Sequence, residues 1–491
     1  MPSEFLFVDF GDAKTQRLAL SRKKHAFLQK KHHQRRRDER LQRLKTSIQR
    51  PFSGGSAHEP STEAIRHSEE DELAQNVSLV SCSPGKTVGS GMMDPFCSLG
   101  MTDAIDPYFY HYKDTCAHAI YPFAADGMVT WWGHKSMGQP ALLQVLLATS
   151  AYHKSCLERN SNGHRPTYLQ SATDSLQLRT KSIKGLQTIL DNLTDSTLEA
   201  AILIVANMIC VEAGAAQIHA VDVHMDGLRR LVYMRGGLDL LDDLTISTIY
   251  CCTFMAAVLT RSPPAFPMSS AWRNSVLEQS RVARLNRESR EAFFSGTRFF
   301  TSPWSQYLHS GMKSSLRLFQ RLTLCSSLQR PSRLTPLDDS LIELAVHQLL
   351  CLSFVGSPGE FQEPLRLALL LYTLTRILAL QWVHSVAFLV EDLRRSFHST
   401  LPTLQSMADD LLFWILFVGG MASEGLECRR WFVVRLRETA ERLGITGWDA
   451  AFPLLDGFFF LDRPGENYAG NLWEEVQRTS NSAHKAMNSK G

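Results

Sequence analysis

Apolar residues recur every three or four positions through most of the chain after Met92, which is the spacing of one face of an α-helix. Stretches that alternate apolar and polar residues, as half-buried strands do, are nearly absent. The pattern therefore predicts an all-α fold. The predicted helices cover residues 141–151, 168–193, 196–213, 217–235, 238–261, 338–355, 363–398, 402–422 and 426–443.

Polar and conformationally special residues mark several predicted helix ends. Ser196 is the expected N-cap of its helix, and Glu199 three residues later would complete a capping box. Gly236-Gly237 is typical of a left-handed helix stop, and Pro263-Pro264 ends the following helix. Ser, Arg and Pro become frequent over residues 262–335, so a long excursion with broken helices is predicted there.

The composition changes along the chain and divides it into four parts. Residues 1–50 are a basic N-terminal arm. Residues 51–91 hold sixteen Gly, Ser or Pro in 41 positions and are predicted to be a flexible linker, because they offer too little apolar surface to offset chain entropy. Residues 92–476 form the predicted multi-helix domain, and residues 477–491 are predicted to be a polar, disordered tail.

The positive charge of the chain is concentrated in the arm. The formal net charge is only +3, but residues 1–50 carry +9, which leaves −6 on residues 51–491. Basic clusters of this kind suit the acidic grooves of a nuclear import receptor, or phosphate groups. The residues predicted to make these contacts are Arg22, Lys23, Lys24, Lys30, Lys31, Arg35, Arg36 and Arg37.

Two other interpretations of the arm compete with this one. A solvated arm without any partner would show the same charge. Binding to a membrane surface is disfavoured because the basic run has few aromatic side chains to insert. The apolar run over residues 411–421 is about half the length of a membrane-spanning helix, and the first residues do not resemble a signal peptide. No membrane contact is therefore expected.

The sequence offers no recognisable metal or catalytic site. A structural zinc module needs paired thiolates a few residues apart, but no C-x-x-C occurs and no cysteine precedes Cys82. Cys251 and Cys252 are predicted to pack in a core helix, and His219 and His224 to be partly exposed helix residues. No nucleophile elbow, phosphate loop or dinucleotide fingerprint has the required spacing. No catalytic, metal-binding or cofactor-binding residue is assigned, and no cofactor is expected.

One aromatic pair is a candidate for the lining of a pocket. Trp131 and Trp132 follow Tyr121-Pro122-Phe123 within one short stretch. Clusters of large aromatic side chains are more often core than pocket, since burial of their surface stabilises a fold strongly. The pair is therefore predicted to belong to the core.

Several segments of the body resemble the fungal-specific transcription factor domain. The clearest is His224-Met225-Asp226-Gly227-Leu228, which continues to an Arg235-Gly236-Gly237-Leu238 end. Physically this segment is predicted to be a packing element, with an apolar stripe formed by Ile218, Val221, Met225, Leu228 and Val232. The resemblance spans residues 94–461, and its other segments are 106–132, 363–372, 411–420 and 429–432.

The resemblance implies an all-helical regulatory domain of a fungal transcription regulator, a protein of the nucleus and not an enzyme. Members of this family usually carry a binuclear zinc cluster with six cysteines before the domain. This sequence departs from that pattern, and its opening, Phe7-Val8 followed by a His/Arg-rich run to Arg37, looks like that of members without the cluster.

Two functional hypotheses follow from the sequence. The first is a nuclear transcription regulator that contacts DNA through the basic arm or through partners. The alternative is a helical ligand-binding or co-regulator protein without direct DNA recognition. The expected partners are a nuclear import receptor, DNA bound weakly and without sequence preference, other transcription factors, and a small-molecule effector.

Overall fold

The computed structural model describes residues 106–160, 165–280, 295–327, 334–354, 360–461 and 467–488, which all belong to one structural unit. None of these described residues lies in a strand, so the predicted all-α fold is confirmed. The basic arm and the linker predicted from the sequence lie outside the described residues.

The described residues form eighteen α-helices, joined in places by short 3₁₀ and π-helical turns. The first nine are α1 (Asp106–His111), α2 (Ala117–Ile120), α3 (Ala125–Ser136), α4 (Pro140–Asn160), α5 (Arg165–Asp191), α6 (Asp195–Gly214), α7 (Ile218–Arg235), α8 (Asp243–Thr260) and α9 (Ser270–Gln279). The others are α10 (Arg298–Thr301), α11 (Ser310–Ser327), α12 (Pro336–Leu350), α13 (Glu363–Tyr372), α14 (His384–Met407), α15 (Asp409–Ala422), α16 (Arg429–Arg442), α17 (Trp448–Gly457) and α18 (Tyr468–Asn488).

Three helices that are apolar on almost every side supply the centre of the fold. They are α6, α8 and α15, and most of their residues are buried. A helix without a polar stripe must be covered on all faces. Helix α6 packs against α4, α7 and α8, helix α8 also packs against α12, and α15 packs against α13, α14 and α16.

Helices α6 and α8 are also long and apolar enough to cross a membrane, judged by length and composition alone. In each helix 83% of the apolar window is buried inside the protein. Packing against neighbouring helices therefore accounts for their composition.

Aromatic side chains fill the core of the second half of the fold. The ring of Phe299 lies edge-on to that of Trp414, with centroids 5.3 Å apart. The indole N–H of Trp414 donates to the carbonyl of Phe459 at 2.8 Å, so the buried polar atom has a partner. On the same helix, Gly419 leaves room for the ring of Phe432, which a Cβ at residue 419 would overlap.

Contacts distant in sequence join the first nine helices to the rest. Arg261, at the end of α8, makes a bidentate ion pair with Asp392 on α14, with Nε–Oδ2 2.6 Å and Nη2–Oδ1 2.5 Å. The backbone N–H of Ala379 donates to the carbonyl of Ala119 at 3.0 Å. The two halves of the chain therefore share one packed interior.

Two helix starts differ from the sequence prediction. The N-cap of α6 is Thr194 and not Ser196, and its capping box is closed by Thr197. Glu199 instead forms an ion pair with Lys135. Helix α8 begins at Asp243, later than predicted, because the side chain of Asp242 accepts the N–H groups at the helix start.

The predicted helix over residues 363–398 is interrupted. Helix α13 ends in a π-helical turn at Thr373–Ile377, and α14 begins only at His384. Pro402, predicted to start a new helix, lies inside α14, which continues to Met407. Burial of Leu404 against the core accounts for this continuation, because packing outweighs the one backbone hydrogen bond that proline cannot make.

Two further predictions of extent also differ from the structure. The excursion predicted over residues 262–335 contains an 18-residue helix, α11, which buries Met312, Leu316 and Phe319 along one face. Near the end of the chain, the backbone of α18 remains helical to Asn488, beyond the boundary predicted at residue 477.

Candidate functional site

Helix α7, which carries the sequence segment that resembles a known family, is amphipathic. Val221, Met225, Leu228 and Val232 are buried along one face, as predicted, and this face packs on α6 and α8. Ile218, which was predicted to belong to the same stripe, is 45% exposed because it is the first residue of the helix and projects beyond the packed face. The inner side of α7 is thus a packing element.

The predicted stop at the end of α7 is confirmed in atomic detail. Gly236 has a φ of 92°, and its N–H donates to the carbonyl of Tyr233 at 3.0 Å. The N–H of Gly237 donates to the carbonyl of Val232, also at 3.0 Å. This pair of bonds is the Schellman motif, which satisfies carbonyl groups that a helix end leaves without partners. The chain then turns back, and Cδ1 of Leu240 lies 2.8 Å from the position that a Cβ would take on Gly236.

The outer side of α7 exposes large side chains at its C-terminal end. Tyr233 is 85% exposed, more than any other large apolar side chain among the described residues, and Met234 is 48% exposed. Leu240, just beyond the helix, is 60% exposed. Arg229 and Arg230 are also exposed, one helical turn before Tyr233 and Met234. We call these five residues the α7 patch.

The two histidines of α7 differ in environment. His219 is exposed, in agreement with the prediction, but His224 is buried, so the prediction of partial exposure was wrong for it. Burial lowers the pKa of His224 to about 4, and the charge of Arg179 acts in the same direction. The ring is therefore neutral at physiological pH and belongs to the packed side of the helix.

A row of polar residues runs along the buried face of α12. Asp339, Glu343 and His347 are spaced four residues apart, and Asp338 precedes them. Asp338 closes a capping box at the helix start by accepting the N–H of Thr335 at 2.7 Å. Isolated charges are expensive to bury, so each member of the row should have a structural partner.

Asp339 holds the start of a helix that lies more than 200 residues away in sequence. Its Oδ1 accepts the N–H of Phe123 at 2.9 Å, and its Oδ2 accepts the N–H of Ala124 at 3.0 Å. These N–H groups precede α3, whose own N-cap residue makes no side-chain capping bond. Burial raises the pKa of Asp339 to about 8, although the two backbone donors act in the opposite direction.

Glu343 lies beside a small cavity. The cavity measures about 10 Å³, roughly the volume that one water molecule needs, and Tyr250 and His347 also line it. One carboxyl oxygen, Oε2, has no hydrogen-bond partner among the described residues, and burial raises the pKa of Glu343 well above its usual range. His347 bonds to the carbonyl of Phe266 at 3.0 Å and so ties the loop between α8 and α9 over the cavity.

An open cleft of about 670 Å³ lies where the starts of α8 and α12 meet the end of α9. Two of its acidic groups already have partners. Asp242 accepts the N–H groups of Leu244 and Thr245, both at 3.1 Å, and Asp243 accepts the hydroxyl of Ser275 at 2.5 Å. These carboxylates position helices, and the cleft presents no constellation of reacting groups.

A pair of histidines lies where α4 meets the first turns of the domain. Nε2 of His111 and Nδ1 of His153 are 3.0 Å apart. Burial lowers the pKa of both rings to about 4, and the charge of Lys154 acts in the same direction on His111. Two neutral imidazoles suit this geometry, because one nitrogen donates and the other accepts.

The remaining candidates from the sequence lie in different places. Cys251, Cys252 and Trp132 are buried, which confirms the core interpretation for these three. Trp131 is half-buried. Within the described ranges, no group of three or more His, Cys, Asp or Glu side chains is arranged to hold a metal ion. The eight basic residues between Arg22 and Arg37 lie outside the described residues.

Comparison with known families identifies the part of the chain that contains α7. Residues 107–274 match the model of the fungal-specific transcription factor domain. This stretch is therefore similar to that domain. The domain match begins in α1, ends within α9 and covers about a third of the chain. The α7 patch therefore lies inside the matched residues, whereas the row of polar residues on α12 lies outside the match.

The other comparisons add no relative. Neither the curated proteins nor the solved structures contain a match to the chain. The resemblance predicted for residues 363–432 lies beyond the fungal-specific transcription factor match and stays a prediction.

Proposed function

We propose that this protein is a fungal transcription regulator that acts in the nucleus and reaches DNA through its basic arm or through partner proteins. The observation that carries the proposal is the fungal-specific transcription factor domain at residues 107–274. The domain family implies a regulator and not an enzyme, and the buried side chains of Asp338 and Asp339 accept backbone N–H groups near helix starts.

The arm supplies the means of entering the nucleus in this proposal. Three clusters, Arg22-Lys23-Lys24, Lys30-Lys31 and Arg35-Arg36-Arg37, lie within sixteen residues. Each cation can pair with a carboxylate of an import receptor or with a phosphate. A chain of 55.3 kDa depends on such a receptor, since it is too large to pass nuclear pores readily.

Imaging of the tagged protein tests this step. The variant replaces six residues of the first and third clusters with Ala, namely Arg22, Lys23, Lys24, Arg35, Arg36 and Arg37. The matched control removes the same amount of charge outside the clusters, at Lys14, Arg17, Arg40, Arg43, Lys45 and Arg50. We expect the variant to remain in the cytoplasm and the control to enter the nucleus. Nuclear accumulation of both proteins would contradict the assigned import signal.

Chromatin profiling of the tagged protein tests the regulatory step. The second protein to profile lacks residues 1–50 and carries an unrelated import signal that keeps it nuclear. Discrete peaks in the full chain that this second protein loses would support DNA contact through the arm. A nuclear protein without peaks would contradict the proposal.

A co-regulator recruited by other proteins is the second candidate. The observation that favours it is the lack of any cysteine in residues 1–81, because a basic segment without the paired cysteines of a zinc module is poorly placed to read base edges. In that case the peaks should persist after deletion of residues 1–50 and coincide with those of another DNA-binding protein.

A further inference from the structure

The α7 patch has the composition of a protein interface rather than of ordinary surface. Single exposed apolar residues are common, but Tyr233, Met234 and Leu240 are exposed together around one helix end. Arg229 and Arg230 lie on the same side one turn earlier. Aromatic residues, Met and Arg are the types enriched where proteins bind each other, and the patch consists largely of them.

The charges of the patch are only partly neutralised within the protein. Nη1 of Arg229 lies 2.9 Å from Oδ1 of Asp226, and both side chains are at least half exposed. An exposed pair of this kind contributes little to stability, so Arg229 can exchange its partner at low cost. Arg230, on the adjacent position, adds a second positive charge to the exposed surface.

We propose that the α7 patch binds an acidic amphipathic segment of a partner protein, one that presents Asp or Glu beside Leu or Phe. Carboxylates of the segment would pair with Arg229 and Arg230, and its apolar side chains would cover Tyr233, Met234 and Leu240. Charge complementarity and the adjacent apolar area select this partner chemistry. Segments that alternate acidic and hydrophobic residues are typical of transcriptional activation regions, so the proposal also gives the domain a role in regulation.

Duplex DNA fits the same surface less well. Phosphates would meet the two arginines as carboxylates do, so the apolar side chains of the patch decide between the two partners. A sugar–phosphate backbone would leave the apolar side chains of Tyr233, Met234 and Leu240 largely uncovered. An acidic peptide with apolar side chains would pair with the two arginines and also cover the three apolar side chains of the patch.

Peptide binding to the purified full-length protein tests the proposal. The probe is a short fluorescein-labelled helical peptide with Asp and Glu on one face and Leu and Phe on the other, followed by fluorescence anisotropy. Two matched probes replace either the acids with Asn and Gln or the Leu and Phe with Ser. We expect each replacement to weaken binding by about tenfold or more, because both kinds of contact are used.

Variants of the protein show whether the binding occurs at the patch. Arg230→Glu and Tyr233→Ser should each weaken probe binding by about tenfold, whereas Arg273→Glu, an exposed arginine on α9, should not. All three side chains are exposed, so the thermal midpoints should stay near that of the parent protein, which separates loss of contact from loss of fold.

Three results would overturn the proposal. The first is equal binding of the three probes to the parent protein. The second is equal affinity of the Arg230→Glu and Arg273→Glu variants for the acidic probe. The third is displacement of the probe from the patch by duplex DNA at a lower concentration than by unlabelled peptide. These measurements use purified protein and peptide, so they can fail while the nuclear function proposed above still holds.

Discussion

The carboxylate of Asp339 accepts the backbone N–H of Phe123 at 2.9 Å across 216 positions of the chain. Phe123 lies within the fungal-specific transcription factor match, and Asp339 lies outside it. The same carboxylate also accepts the N–H of Ala124 at 3.0 Å. A residue of α12 thus completes the start of α3, a helix of the matched domain, so the matched stretch depends on the second half of the chain.

This dependence predicts that a fragment comprising residues 106–280 does not fold cooperatively alone. It would lack α12, which covers α8, and Asp392, which pairs with Arg261. Differential scanning calorimetry should show a sharp transition for the full chain and none for the fragment. A cooperative transition of the isolated fragment at a similar temperature would show that the contacts made by Asp339 and α12 are dispensable.

The bonds made by Asp339 predict a loss of stability when its side chain is shortened. Asp339→Ala leaves the N–H groups of Phe123 and Ala124 buried without partners, which costs about 1–3 kcal/mol for an unsatisfied group. Asp339→Asn retains a carbonyl acceptor and should lose less. Urea unfolding at neutral pH measures both, and equal stability of the Ala variant and the parent would contradict the capping role.

Asp339 also predicts a dependence of stability on pH. Its pKa is raised to about 8 in the folded protein from an unperturbed value of 3.8. Between these values the unfolded state has released the proton that the folded state keeps, so stability should fall as pH rises from about 4 to about 8. Asp339→Asn removes this titration and should flatten that slope, as measured by urea unfolding at several pH values. An unchanged slope would show that the carboxyl is ionised in the folded protein.

The sequence predicts the structural features that depend on residues close together in the chain. It does not predict the features that depend on contacts between residues far apart in the chain. The apolar stripe of α7 and the stop at Gly236 follow from spacing and backbone geometry within one helix, and both are present. The bonds between Asp339 and α3 join residues that no local pattern relates. The exposure of Tyr233 could not be predicted either, because periodicity does not show which flank of a helix its neighbours leave uncovered.

Charged residues inside an otherwise apolar helix were the available signal for the polar row of α12. Asp338, Asp339, Glu343 and His347 interrupt a run of Leu, Ile, Ala and Val. Buried ionisable groups need partners, so such a helix must contact donors elsewhere in the chain. The spacing of apolar residues predicts the helix, but it does not show which distant donors its polar side chains contact. In α6, Thr194 and not Ser196 is the N-cap; the sequence does not distinguish them because both offer a hydroxyl group within two positions of each other.

The helix stop predicts opposite effects for two Gly→Ala substitutions. At Gly236 the φ of 92° disfavours any Cβ, and Leu240 Cδ1 would lie 2.8 Å from it. Gly236→Ala should therefore lower the free energy of unfolding by about 1 kcal/mol. Gly133, inside α3, has no atom within 4 Å of its Cβ position, so Gly133→Ala should be neutral or raise stability by up to about 1 kcal/mol. A fall of equal size in both variants would show that the left-handed stop is not what makes Gly236 necessary.

The histidine pair predicts loss of stability in mild acid. The pKa values of His111 and His153 fall to about 4 in the folded protein, against 6.5 for an unperturbed histidine. Between these values the two imidazole rings bind protons in the unfolded chain but not in the folded protein. The free energy of unfolding should therefore fall as pH decreases from about 6.5 to about 4. Lys154 opposes protonation of His111, whereas Glu158 and Asp114 favour it.

Replacement of both histidines by Gln should weaken this acid dependence, because neither side chain then gains a proton. Thermal unfolding between pH 4 and pH 7 provides the comparison, with Gly133→Ala as a control that changes no titratable group. Parallel curves for the parent and the double variant would mean that the pair is protonated in the folded protein without loss of stability.

The basic arm predicts DNA binding governed by salt and not by sequence. A basic segment without the paired cysteines of a zinc module can neutralise phosphates but is poorly placed to read base edges. Anisotropy titrations with purified protein should therefore show weak binding to any duplex, unaffected by zinc chelators. The logarithm of the affinity should fall with the logarithm of salt concentration at a slope of about −0.9 for each phosphate contacted. Deletion of residues 1–50 should abolish binding, because the remaining residues carry −6 and repel the duplex. A tight, sequence-selective complex that chelators abolish would instead require a metal site, and it would remove the main support for the co-regulator alternative.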